Sequence, residues 1–226
     1  MEKRTLLKDL KWEVTLEEAK AHLHVMEDDE EDFEEIFREV YKRIKPIYYV
    51  AEEKIISNDG NHFNIGGKVF TSRICSVNLE NCETVYPYVG TSGREAYEYA
   101  LSLKDPLFTF WADSICELAL YSVGKSFREY IKEKLGTQDL YSLNPGSVID
   151  WPIGAQGPLF ELIGNVYENT GIMLEPTFLM RPVKSNSGIL YVSKKHFQSC
   201  SLCVRSGCPN RREPFDPEKF DREYAQ

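Results

Sequence analysis

Apolar residues recur at helical spacing in two stretches of the chain, and each stretch has recognisable ends. The first is preceded by an acidic run over residues 27–35, which suits a helix N-terminus, and Pro46 follows it. Its apolar face comprises Phe33, Ile36, Phe37, Val40, Tyr41 and Ile44. The second begins at Asp105-Pro106 and stops at Gly136, with apolar positions at Phe110, Ile115, Leu118, Tyr121 and Phe127. The pattern therefore predicts two long helices.

Shorter patterns fill the intervals between these helices. Thr15 and Glu18 match a capping box and predict a brief helix through about residue 23. Strands are predicted over residues 47–56, 63–70 and 84–89, with a hairpin turn at Asn58-Asp59-Gly60. Further predicted elements are helices over residues 72–79, 94–103 and 159–166, an ordered loop over residues 140–151, and strand-like segments around residues 172–180 and 188–192.

Strands mixed with helices of uneven length, and hairpins among them, are typical of an α+β fold rather than a regular doubly wound one. We divide the chain into an N-terminal helical segment (residues 1–30), one α+β domain (residues 31–195) and a Cys-rich tail (residues 196–226).

Composition excludes several classes of function. No apolar run approaches the roughly 18 residues that span a bilayer, and the N-terminus lacks the apolar stretch of a secretory signal, so we expect a cytoplasmic protein with no membrane partner. The formal net charge of -9 repels a phosphate backbone, which argues against a nucleic-acid partner. The sequence contains no Walker loop, nucleophile elbow, His-Glu-x-x-His motif or dinucleotide fingerprint.

Three of the six cysteines form the spacing Cys200-x-x-Cys203-x-x-x-x-Cys208. Three thiolates on a short loop can converge on one soft metal, so zinc and an iron-sulfur cluster are both candidates. Zinc needs a fourth ligand, which Cys75, Cys82, Cys116 or His196 could supply through the fold. The alternative is that the three thiols are buried or incidental.

Three ordered segments resemble the activation domain of cobalamin-dependent methionine synthase, and specifically its shorter stand-alone relatives. They are SRICSVNLENCETVYPYVGTSG (residues 72–93), LNPGSVIDWP with PLFELIG (residues 143–152 and 158–164), and EPTFLMRPVKSNSG (residues 175–188). The resemblance implies a single domain built on a twisted antiparallel sheet with flanking helices. It also implies a domain that binds S-adenosylmethionine and presents it to a corrinoid held by a partner, so that inactive cob(II)alamin returns to the catalytic cycle.

Carried over position by position, the resemblance assigns a set of cofactor-binding residues. The loop residues Asn144, Pro145, Gly146 and Ser147 match the segment that holds S-adenosylmethionine. Glu117 matches a helix position that gives the ligand a carboxylate, and Tyr191 is expected to face the same cleft. Trp151 and Lys184 are expected to contact the corrinoid.

The sequence departs from the family at two positions of that loop. The family has an arginine three positions before the proline and a tyrosine after the glycine, whereas this chain has Ser142 and Ser147. Loss of a guanidinium and of an aromatic ring predicts weak or undetectable binding of S-adenosylmethionine.

The leading hypothesis is an accessory protein that docks on a corrinoid protein or a cobalamin-dependent methyltransferase and helps to reactivate its cofactor. It could supply electrons through an iron-sulfur cluster served by a flavodoxin- or ferredoxin-type reductant, supply S-adenosylmethionine, or supply only a docking surface. The alternatives are a metal-stapled interaction module without catalysis and a residual methyl-donor enzyme that uses Glu117 and the backbone of residues 144–147.

Overall fold

An eight-stranded antiparallel sheet organises the fold in the computed structural model, which describes residues 3–208 and 211–225. The strands are β1 (Arg4–Leu7), β2 (Ile47–Ala51), β3 (Glu53–Asn58), β4 (His62–Ile65), β5 (Lys68–Thr71), β6 (Thr84–Thr91), β7 (Leu140–Leu143) and β10 (Ser185–Val192). A separate two-stranded sheet pairs β8 (Met173–Leu174) with β9 (Met180–Arg181).

Strand β6 lies at the centre of the large sheet. It pairs with β2 on one side and with β10 on the other, and β10 in turn pairs with β7. Strand β1 covers the free edge of β2, while the first residues of β6 pair with β3, from which β4 and β5 continue as a meander. All of these pairings are antiparallel, so the hydrogen-bonding groups of β6 are satisfied by neighbours on both edges.

The helices lie on both faces of this sheet. They are α1 (Leu16–Leu23), α2 (Glu30–Tyr41), α3 (Arg73–Asn78), α4 (Arg94–Ser102), α5 (Pro106–Leu135), α6 (Gln156–Ile163), α7 (Val166–Thr170) and α8 (Lys219–Glu223). The C-terminal half of α5 packs on one sheet face through Leu120, Val123, Phe127 and Ile131. Helices α3, α6 and α7 pack on the other face.

Alternation along β6 separates the two cores. Val85 and Val89 face the cluster under α3 and α6, whereas Tyr86 and Tyr88 face α5. The N-terminal half of α5 extends beyond the sheet and forms a third cluster with α1, α2 and α4 around Trp111, which is 3% exposed. One helix of 30 residues therefore joins the sheet to a helical layer.

Both ends of the chain are integrated into the cores. Strand β1 pairs in register with β2, so the N-terminal segment contributes a strand in addition to helix α1. Near the C-terminus, Tyr224 is 2% exposed, and its hydroxyl accepts a hydrogen bond from Asn78 Nδ2 at 3.1 Å. The last helix is thus anchored on α3 rather than lying loosely on the surface.

The caps read from the sequence define several helices correctly. Thr15 and Glu18 form the reciprocal capping box of α1, Asp105 accepts from the backbone amide of Leu107 at 2.8 Å, and Gly136 ends α5 with φ of 63°. Helix α2 buries Phe33, Ile36, Phe37 and Val40 of the predicted face, but it ends before Pro46 at Tyr41, whose side chain is 38% exposed.

Several predictions of strands and loops need correction. The strand predicted over residues 47–56 is two strands, β2 and β3, which are separated at Glu52, and the segment around residues 172–180 forms the two-residue strands β8 and β9. The segment predicted as one strand over residues 63–70 is two strands, because Gly66 and Gly67 both take positive φ and turn the chain back. Within the predicted loop over residues 140–151, the first four residues form β7, which pairs with β10.

Among the described residues, no helix combines the length and apolar character needed to cross a membrane.

Candidate functional site

A cleft lies between the C-terminal half of α5 and the sheet face formed by β2, β6, β7 and β10. Its larger part has a volume of about 530 Å³ and is lined by residues that include Tyr48, Tyr88, Gly124, Asn144 and Asn186. A smaller part of about 230 Å³ continues towards the C-terminal segment and is lined by residues that include Arg128, Ser142 and Cys200. Tyr121, Arg128, Ser142, Asn144 and Arg212 line both parts, so the two are continuous.

Aromatic rings form the floor of the cleft. Tyr48 stacks on Phe127 with ring centroids 4.3 Å apart, and Tyr88 lies 5.1 Å from the same ring. Gly90 makes this possible, since a Cβ at that position would overlap the ring of Tyr48. Burial raises the pKa of both tyrosines, so each phenol stays protonated at neutral pH.

Two amide side chains hold the phenol groups in place. Asn144 donates from Nδ2 to the Tyr88 hydroxyl at 2.9 Å and to the carbonyl of Ser187 at 2.7 Å. Asn186 donates from Nδ2 to the Tyr48 hydroxyl at 3.0 Å, while its Oδ1 is buried with no hydrogen-bond partner within the described part of the chain. A buried acceptor without a partner is uncommon in folded proteins, and this one belongs to a residue that lines the cleft.

The loop that follows β7 is ordered by its own backbone. The Gly146 amide donates to the Trp151 carbonyl at 2.8 Å, and Gly146 has φ of 82°, which favours glycine. Ser147 donates from its amide and its hydroxyl to the Asn144 carbonyl, at 3.0 and 2.6 Å. Pro145 is buried. The loop is therefore a rigid platform, and Asn144 is the predicted loop residue that lines the cleft.

Two of the predicted site residues lie in the core on the opposite side of the sheet. Trp151 is 1% exposed and packs edge-on against Phe63 and Phe70, and Tyr191 is 0% exposed with its hydroxyl 3.4 Å from Asn78 Oδ1. The expectations that Trp151 lies on a corrinoid-docking surface and that Tyr191 faces the cleft are corrected accordingly. The side chain of Tyr191 points away because residues of β10 alternate between faces, and Asn186 and Leu190 take the cleft side.

Two further predicted residues, Glu117 and Lys184, form an ion pair beside Tyr121 and are not among the residues that line the cleft. Lys184 Nζ lies 2.7 Å from Glu117 Oε2 and 2.9 Å from Asp113 Oδ2. Burial raises the pKa of Glu117, but the hydrogen bond and charge of Lys184 outweigh this and hold it below its usual range. The Tyr121 hydroxyl donates to Glu117 Oε1 at 3.2 Å and connects the ion pair to the cleft.

The three C-terminal cysteines lie beside the cleft without forming a ligand set. Cys200 lines the smaller part, and all three thiols are free and partly buried. In the part of the chain that the structure describes, no three Cys, His, Asp or Glu side chains come together in a way that could hold a metal ion. The described residues therefore bring together no ligand set for the predicted zinc or iron-sulfur cluster.

Sequence reasoning missed two arginines that line both parts of the cleft. Arg128 projects from α5 and donates from Nη2 to the Leu140 carbonyl at 2.7 Å, and Arg212 lines the cleft from the C-terminal segment. Arg128 follows the buried Phe127 on α5, and no local motif distinguishes it from a solvated helix residue. Only the fold brings the two arginines to one place.

Comparisons with known proteins agree with this architecture. No protein-family model matches the chain, and no curated protein matches its sequence. Among solved structures, the reactivation domain of MetH bound to AdoHcy is similar over 87% of this chain and 81% of that chain, with a TM-score of 0.56 and 13% identity. At this identity the likeness shows the fold alone. It confirms the predicted α+β domain with an antiparallel sheet and flanking helices, and it confirms the resemblance to the methionine synthase domain at the level of the fold.

Proposed function

We propose that this chain is an accessory protein that binds S-adenosylmethionine in the cleft between α5 and the sheet and serves the reactivation of a corrinoid carried by a partner protein. The observation that carries the proposal is the cleft itself, with its unpartnered Asn186 Oδ1, in a fold like that of a domain solved with S-adenosylhomocysteine. S-adenosylmethionine and S-adenosylhomocysteine share an adenosyl group and an amino-acid group, so one site can accept both.

The charges around the cleft support a dipolar ligand. The lining of the cleft is cationic, because Lys125, Arg128, Arg211 and Arg212 border it and no Asp or Glu of the described chain does. Next to the lining residue Tyr121, the carboxylates of Asp113 and Glu117 outnumber the ammonium of Lys184. S-adenosylmethionine carries a carboxylate together with a sulfonium and an ammonium, so its carboxylate can pair with the lining while its cationic groups lie towards these two carboxylates.

The polar groups of the floor support recognition of an adenosyl group. The Asn186 Oδ1 atom can accept a hydrogen bond from an amino or hydroxyl group of the ligand. The amide of Asn144 is held by two hydrogen bonds, so that ligand binding need not order it. Tyr121 is 40% exposed at the cleft and offers a ring against which a base can stack.

In this role the protein positions a methyl donor, and the corrinoid is a substrate brought by the partner. A reductant supplied in the reaction gives one electron to cob(II)alamin, and the resulting cob(I)alamin attacks the methyl group of the sulfonium. The cobalt–carbon bond forms, the sulfur–carbon bond breaks, and S-adenosylhomocysteine leaves with the electron pair. The protein contributes binding and orientation, which suffice because both reactants are already activated.

The test mixes the purified protein, without oxygen, with a cob(II)alamin-loaded corrinoid protein of the same cell, titanium(III) citrate and S-adenosylmethionine. We expect the cobalt absorbance to change to that of methylcobalamin, together with one S-adenosylhomocysteine per cobalt. Reactions that lack the protein or contain Asn144→Leu, which removes the amide that lines the cleft, should stay near the uncatalysed rate. If no corrinoid protein of that cell responds, the proposal fails and the chain is an interaction module on this fold.

A further inference from the structure

The smaller part of the cleft contains two guanidinium groups that have no carboxylate partner. Neither Arg128 nor Arg212 forms an ion pair with any residue among 3–208 and 211–225. Five of the eleven arginines form ion pairs in the described chain, namely Arg4, Arg43, Arg94, Arg181 and Arg222, whereas Arg128 and Arg212 face a shared cavity without a carboxylate partner. Two like charges that face one cavity of about 230 Å³ repel each other unless an anion lies between them.

Arg128 is held towards the cavity by the sheet. One N–H of its guanidinium donates to the Leu140 carbonyl on the edge strand β7, and its remaining N–H groups have no partner in the described chain. Burial lowers its pKa, Tyr88 partly offsets this effect, and the charge of Arg212 lowers it further, so the two guanidinium groups interact. Arg128 is therefore a half-buried cation with no carboxylate partner in the described chain.

Arg212 is held from the opposite side by the C-terminal segment. The neighbouring Arg211 donates to the carbonyls of Cys200 at 2.9 Å and Cys203 at 3.1 Å, and also to the carbonyl of Arg205. The cysteine loop thus wraps around the Arg211 guanidinium, and this fixes the backbone of the next residue. Arg211 is a positioning residue, and Arg212 is the residue that reaches the cavity.

We propose that Arg128 and Arg212 form a binding site for an oxyanion, which the C-terminal segment completes by closing over the smaller part of the cleft. Ser142 and Ser199 line the same cavity and can add hydroxyl donors. The site takes a group that accepts several hydrogen bonds at once, a carboxylate or a phosphate, because a guanidinium fork matches both. The family that this chain resembles has an arginine at the position of Ser142. In this chain the guanidinium groups of Arg128 and Arg212 take that role from other parts of the fold.

This inference rests on the proposed function, since it names the part of the cleft that receives the acidic group of the ligand. Two sources of oxyanion are possible: the carboxylate of an adenosyl amino acid and the phosphate of a nucleotide. S-adenosylhomocysteine and 5′-methylthioadenosine distinguish them, because the two compounds share the adenosyl thioether and only the first has the carboxylate. Inorganic phosphate tests the second source without an adenosyl group.

The experiment measures the affinity of both adenosyl compounds by calorimetry for the wild type, Arg128→Gln and Arg212→Gln. If the site receives a carboxylate, each substitution lowers the affinity for S-adenosylhomocysteine by about tenfold or more. The affinity for 5′-methylthioadenosine then stays unchanged. In parallel, thermal unfolding is followed with phosphate against sodium chloride of the same ionic strength. If the site receives a phosphate, phosphate raises the melting temperature of the wild type. The melting temperatures of Arg128→Gln and Arg212→Gln then do not respond to phosphate.

Arg38→Gln is the matched control, since it removes a guanidinium from the exposed surface of α2, away from the cleft. Arg212 is exposed, so Arg212→Gln remains informative if Arg128→Gln folds poorly. The inference is overturned if neither the carboxylate-dependent affinity nor the phosphate effect changes in Arg212→Gln. If the wild type binds neither adenosyl compound, the proposed function fails, and the phosphate measurement alone decides the oxyanion site.

Discussion

Lys184 and Glu117 form an ion pair beside the cleft residue Tyr121, with 2.7 Å between Nζ and Oε2. The two residues lie 67 positions apart, Lys184 immediately before β10 and Glu117 on α5. Sequence reasoning assigned one to a corrinoid and the other to S-adenosylmethionine. Their pairing means that neither is a free charge, and that the position of β10 relative to α5 depends partly on this contact.

The ion pair predicts an acid-sensitive contribution to stability. Because the folded-state pKa of Glu117 is depressed, its contribution is fully present above the ordinary carboxyl pKa and is lost as the pH falls through the folded value. Glu117→Gln should therefore lower the melting temperature near neutral pH, by the equivalent of about 1 kcal/mol or less for a partly exposed pair, and the deficit should disappear in acid. Thermal unfolding across pH measures this, with Glu98→Gln, in an exposed pair, as control. A deficit that grows in acid would contradict the assignment.

The close approach of Gly188 to Asn144 allows a steric test of how the Asn144 side chain is held. A Cβ at Gly188 would overlap Asn144 Nδ2 and lie 2.6 Å from the Leu143 carbonyl oxygen. Gly188→Ala should cost about 1–3 kcal/mol and should displace Asn144 from Tyr88, which weakens ligand binding as well. Gly154→Ala is the control, because its nearest neighbour is Phe178 at 3.6 Å and its backbone is not left-handed. Chemical denaturation of both variants gives the comparison, and equal stabilities would show that the strand and loop adjust freely.

Truncation of the Trp151 side chain should cause a large loss of stability rather than a specific loss of docking. The indole is 1% exposed among aromatic rings of the core, so Trp151→Ala should cost about 3–5 kcal/mol. Trp151→Phe should cost much less, since it keeps an aromatic ring and removes an Nε1–H that has no acceptor in the described structure. Denaturation midpoints measure both. A stable Trp151→Ala protein that fails only in the corrinoid assay would restore the docking interpretation.

The six thiols should divide into two groups by reactivity. Burial raises the pKa of Cys75 and Cys116, the latter to about 12, and that of Cys82 to about 11. A thiol reagent at mildly alkaline pH should therefore modify Cys200, Cys203 and Cys208 first, and all six only after unfolding. Mass spectrometry of the modified peptides identifies the order. Protection of the C-terminal three that a chelator removes would show that they bind a metal, as their spacing predicts, through a rearrangement of this loop.

Sequence patterns predict the features of the fold that depend on residues close together along the chain. Asp105 and Gly136 define α5 because caps act within one turn of the chain, and the apolar face of α2 is readable because it repeats every three or four residues. Strand β7 was missed because four residues with a serine and a tyrosine among them carry no clear alternation, and only pairing with β10 makes them a strand.

The site was predictable in part for the same reason. Asn144 was found because it belongs to a contiguous motif, and the structure brings it to the cleft. Trp151 lies only seven residues further along, yet its side chain is buried on the other side, which depends on packing against distant rings. Arg128 and Arg212 meet only through the tertiary fold, so no spacing along the chain could indicate them.

We expect the cleft between α5 and the sheet to bind an adenosyl ligand, and the decisive measurement is a titration of S-adenosylhomocysteine into the wild type and Gly124→Leu. Gly124 lines the cleft next to the Tyr48 hydroxyl, so a leucine there fills the space where the ligand would lie. We expect saturable one-to-one binding to the wild type and none to Gly124→Leu, with circular dichroism showing that the variant is folded. No binding to the wild type, or equal binding to both proteins, would contradict it.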